Sequence, residues 1–393
     1  MELDRIDPGD PQEIAAALRS RFEREHGHAP SGVYVAPGRV NLIGEHVDYN
    51  GGRCLPVALL HATYAAFGVR DDDTVTVTSL QQDEPWTGTL GALGPGQVEG
   101  WATYAAGVVW ALQQDGLEPP GMDIVVDSRV PVGAGLSSSA ALECSVALGV
   151  LDLCGRALDD DARGRLVQAC MRAENEVAGA ATGGLDQAVA LFGQAGSALL
   201  IDTRDFSRQQ VPWHTQGVDV LVVDTRASHT LSDGGYESRR RDCERAAMVL
   251  GVALLRDVVD REAALDALED EQVRRRVRHV LTEMDRVDDA VQEAEAKDFT
   301  ALGRTFTASH DSLRDDYEVS CEELDVVVET ANDHGALGAR MTGGGFGGSA
   351  IALVPHDAVD AVEQAVGKAF ADRGWPAPGF LVATPADGAR RLC

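Results

Sequence analysis

Four consecutive positions, 45 to 48, hold a glutamate, a histidine and an aspartate: Glu45, His46 and Asp48. They stand two residues after the apolar pair Leu42-Ile43, in the stretch GRVNLIGEHVDYNGG (38–52) that Arg39 opens. Such concentrated polarity beside a guanidinium and several glycines suits a binding pocket. The same residues also suit a solvated salt-bridge cluster. A histidine with two carboxylates can hold a metal, although a Glu and a His adjacent in sequence rarely point at one centre. Residue chemistry leaves all three readings open.

Two glycine-rich stretches could meet an anion. In PVGAGLSSSAAL (131–142) the residues Gly133, Ala134, Gly135, Leu136, Ser137, Ser138 and Ser139 lead into an apolar run. Glycines let backbone amides converge, and the first amides of a following helix favour negative charge. The serines add donors and oxygen ligands for magnesium. No G-K-[ST] follows, so this is not a Walker A loop. It reads as a phosphate cradle or as a tight turn with serine helix caps. The second stretch, MTGGGFGGS (341–349), signals close backbone approach, either to a nucleotide or between two packed elements.

Three further side chains could take part. Asp186 follows the pair Gly183-Gly184 by two residues, where an aspartate could cap the helix that follows. Glu174, in RAENEVAG, reads as a solvated helix residue. Tyr236, in DGGYESRRRDCERAA, reads as a core aromatic at a helix start or a site residue; Arg239 to Arg241 after it read as a solvated face.

The elements that must position these residues follow from periodicity. Ile14, Leu18 and Phe22 recur at helical spacing and predict a helix over 11–26. GVYVAPGRVNLIG predicts a strand entering a loop, and TVTVTSL (74–80) alternates as a strand does. Helices are predicted over 101–116, from about Ser138, and over DDARGRLVQACMRAENEVAG; strands over 122–131, 196–203 and 218–225. Residues 235–334 read as mostly helical. The chain closes with strands at GARMT, AIALV and GFLVATP and a helix over 357–372. Strands and helices alternate unevenly, which predicts α+β architecture, with the change of texture near 200–215 as the domain boundary.

The 393 residues are 44% hydrophobic and 25% charged, with a formal net charge of −29. That acidity disfavours nucleic acid and anionic membrane as partners. Lys297 and Lys368 are the only lysines, which argues against a lysine-based phosphate site. Seven widely spaced cysteines without a C-x-x-C read as reduced, mostly buried thiols of a cytoplasmic protein. The acidic start MELDRIDPGD lacks the apolar segment of a signal peptide, and no uncharged apolar run reaches the roughly 18 residues of a membrane span.

Taken together, these residues carry a resemblance. GRVNLIGEHVDYNGG resembles the signature of galactokinases, within the GHMP superfamily of small-molecule kinases. PVGAGLSSSAALE and ARMTGGGFGGSAI resemble the superfamily's phosphate loop and C-terminal glycine motif. AGAATGGLDQAVALFGQAGSALLIDTR is similar to the stretch around the family's catalytic aspartate. The resemblance runs from about residue 20 to the end. It implies a two-domain GHMP kinase fold: an N-terminal domain like ribosomal S5 domain 2 over 1–205, a ferredoxin-like C-terminal domain over 206–393, and an active site in the cleft between them. It implies ATP- and Mg2+-dependent phosphorylation of D-galactose at the anomeric hydroxyl to α-D-galactose 1-phosphate, in galactose catabolism, by a monomer or weak homodimer. It also implies roles. Asp186 and Arg39 would be catalytic, and Glu45, His46, Asp48, Gly183 and Tyr236 would hold the sugar. Residues 133–139 would hold ATP, Ser139 and Glu174 would hold magnesium, and Trp101 and Tyr104 would lie on the adenine side. The sequence departs from the family at Leu185, where methionine is usual, and at Ala190, where many relatives carry serine.

Overall fold

The structure, a computed structural model, describes residues 3–180, 182–213, 217–227 and 234–393. Among them are three sheets. The largest has the order Arg390–Arg391, Gly32–Asn41, Pro56–Val69, Met122–Ser128, Thr74–Ser79, Trp86–Thr89. A second runs Asp4–Arg5, Gly379–Val382, Val218–Asp224, Ser349–Pro355, Gly338–Thr342. A third joins Arg53–Cys54, Ser197–Asp202 and Arg208–Pro212. Antiparallel pairing dominates, as α+β architecture requires. Only Thr74–Ser79 with Met122–Ser128 and Asp4–Arg5 with Gly379–Val382 run parallel among the described strands.

The helix Pro11–His26 forms where its apolar spacing predicts. Asp10 caps it by accepting from the amides of Gln12 and Glu13, and Gly27 ends it at φ 77°. Its buried Ile14, Leu18 and Phe22 cover one face of the large sheet. The helices Ala102–Gln114 and Ser138–Leu153 cover the other face. The 14-residue strand Pro56–Val69 lies between these layers and was not legible in the sequence: Ala62, Tyr64 and Ala66 face one layer, Ala65 and Phe67 the other. A strand buried on both faces shows no polar alternation.

Chain order and sheet membership cross at the ends. Asp4 and Arg5 pair with Gly379 and Phe380, while Arg390 and Arg391 pair with Val35 and Tyr34. Position 205/206 falls in the turn between two strands that pair with each other, Ile201 opposite Arg208. A third core cluster joins the halves. In it Val40, Leu42, Ile43 and Leu55 meet Val287, Leu302, Phe306, Ile351 and Leu353. The apolar pair Leu42-Ile43 therefore anchors the polar loop that follows it. Cys54, Cys144, Cys170 and Cys243 are buried free thiols; Cys154 and Cys321 are partly buried and Cys393 is exposed.

Candidate active site

The strand Gly32–Asn41 delivers Arg39 to the mouth of a polar cavity of about 200 Å³. Arg39, Glu45, His46, Asp48, Gly183, Asp186 and Tyr236 all line it, together with Asn41, Thr182, Leu185, Gly343 and Gly344. Seven residues spread over nearly 200 positions of sequence thus converge. The volume lies below the roughly 300–1,000 Å³ of drug-sized ligand pockets and suits a small polar molecule.

Asp186 sits in the first turn of the helix Leu185–Phe192, and its carboxylate does not cap that helix. It takes a two-point bond from Arg39, Nε to Oδ1 at 2.9 Å and Nη2 to Oδ2 at 3.1 Å. Ser137 donates to the same Oδ2 at 2.5 Å. Arg39 Nη1 reaches the Gly135 carbonyl at 2.5 Å, and its backbone amide donates to the Leu136 carbonyl at 3.1 Å. Gly38 makes room for that crossing, since a Cβ there would lie 2.7 Å from the Leu136 oxygen.

The loop 133–139 therefore lies against the cavity. Gly133, Gly135 and Ser137 take φ of 79°, 71° and 59°. Ala134 and Leu136 are buried, Gly133 and Gly135 are exposed, and Ser137, Ser138 and Ser139 are half-buried. The serine-cap reading fails: Ser137 stands at the N-cap of Ser138–Leu153 and makes no side-chain cap bond. The second glycine stretch abuts the first. Ser349 Oγ donates to the Ala134 carbonyl at 2.6 Å, and a Cβ on Gly343 would sit 3.6 Å from the Gly135 oxygen.

Glu45 and His46 are each 4% exposed, which excludes a solvated surface cluster. The Glu45 carboxylate accepts from Arg340, from Thr342 Oγ1 at 3.2 Å and from the Gly343 amide at 3.1 Å. His46 adopts φ 61°, and both its ring nitrogens are engaged. Nε2 lies 3.1 Å from the Gly344 carbonyl, so it carries the proton, and Nδ1 accepts from Tyr49 Oη at 2.9 Å. Tyr49 in turn accepts a hydrogen bond from the Tyr317 hydroxyl at 2.8 Å. Burial pushes the His46 pKa down to about 3, with His279 adding to the shift, so the ring is neutral. With these partners the three side chains make no metal centre, and the described residues contain no group of three potential His, Cys, Asp or Glu ligands.

Asp48 and Tyr236 close the far wall. Burial raises Asp48 to about 6; the Tyr49 and Asp48 amides oppose that shift, and the negative Asp186 and Glu45 reinforce it. Tyr236 packs its ring 5.4 Å from His46 and 5.5 Å from Tyr49, and burial raises its hydroxyl pKa strongly. Gly183 faces Asp48: a Cβ would lie 3.5 Å from Oδ2.

Glu174 is not solvated. The predicted long helix ends at Arg172 and continues as a π-helical turn, Ala173–Ala178, which carries Glu174 at 9% exposure. Such turns recur at functional sites. Ser139 Oγ donates to Glu174 Oε1 at 3.3 Å, and burial followed by the charge of Asp186 raises Glu174 to about 7. Gln187 Nε2 donates to both Glu174 Oε2 at 2.6 Å and Glu143 Oε2 at 2.9 Å. Trp101 and Tyr104, at the start of the helix beside that turn, do not line the cavity.

The sequence reading missed the supports. Arg340, Thr342, Glu283 and Tyr49 hold lining residues in place, and Gln187 orients Glu174. One signal was available for Arg340: an arginine inside the otherwise apolar strand GARMT.

The fold and the two joined glycine loops define a GHMP-type small-molecule kinase. The GHMP kinases N terminal domain matches residues 103–194, and the GHMP kinases C terminal domain matches 290–372. The mevalonate kinase of Methanococcus jannaschii shares the fold at a TM-score of 0.65 and 17% identity, over 92% of this chain and 98% of that one. The galactokinase galactose-binding signature matches residues 20–69. The galactokinase of Streptomyces coelicolor is 49% identical over 386 residues, 96% of this chain and 99% of that protein. The galactokinase of Lactococcus lactis, solved with galactose, superposes at a TM-score of 0.91 with 33% identity, over 96% of this chain and all of that one. The chain belongs to the galactokinase family.

Proposed function

We propose that D-galactose fills the polar cavity and that ATP lies along residues 133–139, so that the anomeric oxygen and the γ-phosphorus meet beside Asp186. The observation that carries this reading is the bridge from loop to cavity: Arg39 and Ser137 both hold Asp186, Ser137 from within the loop 133–139 and Arg39 while bonded to the loop's Gly135 carbonyl. Asp186 accepts the proton of the anomeric hydroxyl as its oxygen bonds to phosphorus. The bond from the γ-phosphorus to the bridging oxygen breaks, and ADP leaves with that electron pair. Arg39 places positive charge where the alkoxide develops. Glu45, Asp48, His46, the backbone at Gly183 and Tyr236 form the sugar wall. Hydroxyl-reading pockets discriminate because a missing partner leaves a buried polar group unpaired, at about 1–3 kcal/mol.

Ser139 and Glu174 fit a magnesium ion: both are hard oxygen donors beside the phosphate loop, and a buried carboxylate raised to about 7 is held in its charged form by a cation. When bound, the ion neutralises phosphate charge. We place the domain division at 205/206, with the cavity between the halves and the termini exchanged. No helix among the described residues is long and apolar enough to cross a membrane.

The test is ADP release against a panel of hexoses, pentoses and mevalonate. Turnover of galactose above the other sugars is expected; rapid turnover of mevalonate without galactose overturns the reading.

A further inference from the structure

Arg340 and Glu283 are both 0% exposed and neither lines the cavity. Charged groups without access to water are costly unless each is matched, and here each is. Arg340 donates to Glu45, to the Leu42 carbonyl at 2.8 Å and to Ser309 Oγ at 3.2 Å, with Glu283 Oε1 3.6 Å away. Glu283 accepts from the Gly44 amide at 3.1 Å, from Ser309 at 2.7 Å and from Arg286 at 2.7 Å. Burial raises the Glu283 pKa, but Arg286 and Arg340 outweigh it and hold the group at about 2. Leu42, Gly44 and Glu45 are therefore tied by two charges from the other half of the chain. Glu45 is 295 residues from Arg340.

The count of bonds at Glu45 matters. A carboxylate offers about four acceptor directions. Arg340 takes one on Oε2; the Gly343 amide and Thr342 Oγ1, which is shared with the Asn41 carbonyl, reach Oε1. One direction is left for a ligand.

We propose that Arg340 is a positioning and specificity-determining residue: through Glu45 it aims that one remaining acceptor direction at a single hydroxyl of the sugar. The inference rests on the reading that galactose fills the cavity. An apolar residue at 340 would pack the strand, yet it would leave Glu45 buried without its countercharge and without a fixed direction. A lysine keeps the charge and loses the planar fork that joins Glu45, Leu42 and Ser309 in one geometry.

The experiment compares wild type, Arg340→Lys and Glu45→Gln. Galactose and the set of monodeoxygalactoses are titrated by calorimetry, and the KM for ATP is measured alongside. Arg340→Lys is expected to raise the galactose Kd roughly 10- to 100-fold, the size of a lost buried charged bond. It is expected to leave the ATP KM within about twofold and to flatten the same single deoxy-sugar penalty that Glu45→Gln flattens. Equal weakening toward every sugar and ATP, or an unchanged deoxy profile, overturns the proposal. Should Arg340→Lys not fold, Ser309→Ala replaces it. Ser309 touches Arg340 and Glu283 without touching Glu45, so a weaker flattening at the same hydroxyl supports the proposal and an unchanged profile overturns it. Failure of wild type to bind galactose at all would instead sink the functional reading, and is seen separately.

Discussion

Ser137 donates to Asp186 Oδ2 at 2.5 Å, so a residue of the glycine-rich loop 133–139 and the proposed proton acceptor of the cavity share one hydrogen bond. The bond fixes Asp186 from the loop, and Arg39 fixes it from the strand Gly32–Asn41. A carboxylate held at both oxygens is a directed acceptor rather than a mobile one, and directed acceptors act in the transition state more than in ground-state binding.

Asp186→Asn should therefore separate the two. The amide keeps the shape of the side chain and loses proton-accepting capacity. The expected loss in kcat is about 10²–10⁴-fold, with the galactose Kd changed only a few-fold because Glu45, Asp48 and Tyr236 are untouched. Calorimetry with galactose and a pre-steady-state ADP measurement check it. A kcat equal to wild type removes Asp186 from the role.

Asp48 gives a prediction about stability with a definite sign. Its folded pKa is raised from 3.8 to about 6, chiefly by burial. Between those values the folded state binds more protons than the unfolded chain, so stability falls as pH rises through the window, and the full cost is present above about pH 6. Asp48→Asn removes a charge that burial opposes. It should stabilise the sugar-free protein by about 1–3 kcal/mol near pH 8, a gain that shrinks toward pH 4. Urea unfolding across that range measures it, and a gain independent of pH refutes it. The same variant should bind galactose more weakly, so the ionised aspartate is retained at a cost in stability.

How much of this was legible depended on where each residue's partners lie. The polarity of the loop 38–52 stood out from its apolar context, but its purpose was named by the resemblance and not by residue chemistry; the structure accounts for the break: Leu42 and Ile43 enter the core shared by both halves while Glu45, His46 and Asp48 line the cavity. Local capping was not read: Asp10, which caps the helix Pro11–His26, went unnamed, and the serine caps expected before Ser138–Leu153 do not form. The strand Pro56–Val69 was invisible because both of its faces are covered. The π-helical turn at Ala173–Ala178 was invisible because one widened turn leaves no period in six residues. Arg340 and Glu283 were missed for a third reason. Their partners at Glu45 and Gly44 lie hundreds of residues away, and spacing along the chain carries no record of contacts that only the fold creates. The resemblance of the motifs pointed to the lining residues, whereas most of the side chains that hold them emerged from the packing.

The last prediction concerns Glu174. The Gln187 amide nitrogen divides its donors between Glu143 and Glu174, and Ser139 donates to the other Glu174 oxygen. Both oxygens of Glu174 are thus oriented before any cation arrives. Glu174→Gln preserves an acceptor for Gln187 and nearly the same volume, so the fold should survive, but it removes the negative charge a divalent cation needs. The magnesium concentration for half-maximal turnover should rise about 10- to 100-fold, as for other changes around a metal ligand set. Galactose affinity measured without nucleotide or magnesium should stay unchanged, because Glu174 does not line the cavity. A magnesium titration at fixed ATP, paired with galactose calorimetry, reads both quantities. An unchanged magnesium requirement would show that Glu174 only supports the loop through Ser139, and a loss of galactose affinity would show that the turn Ala173–Ala178 positions the sugar side.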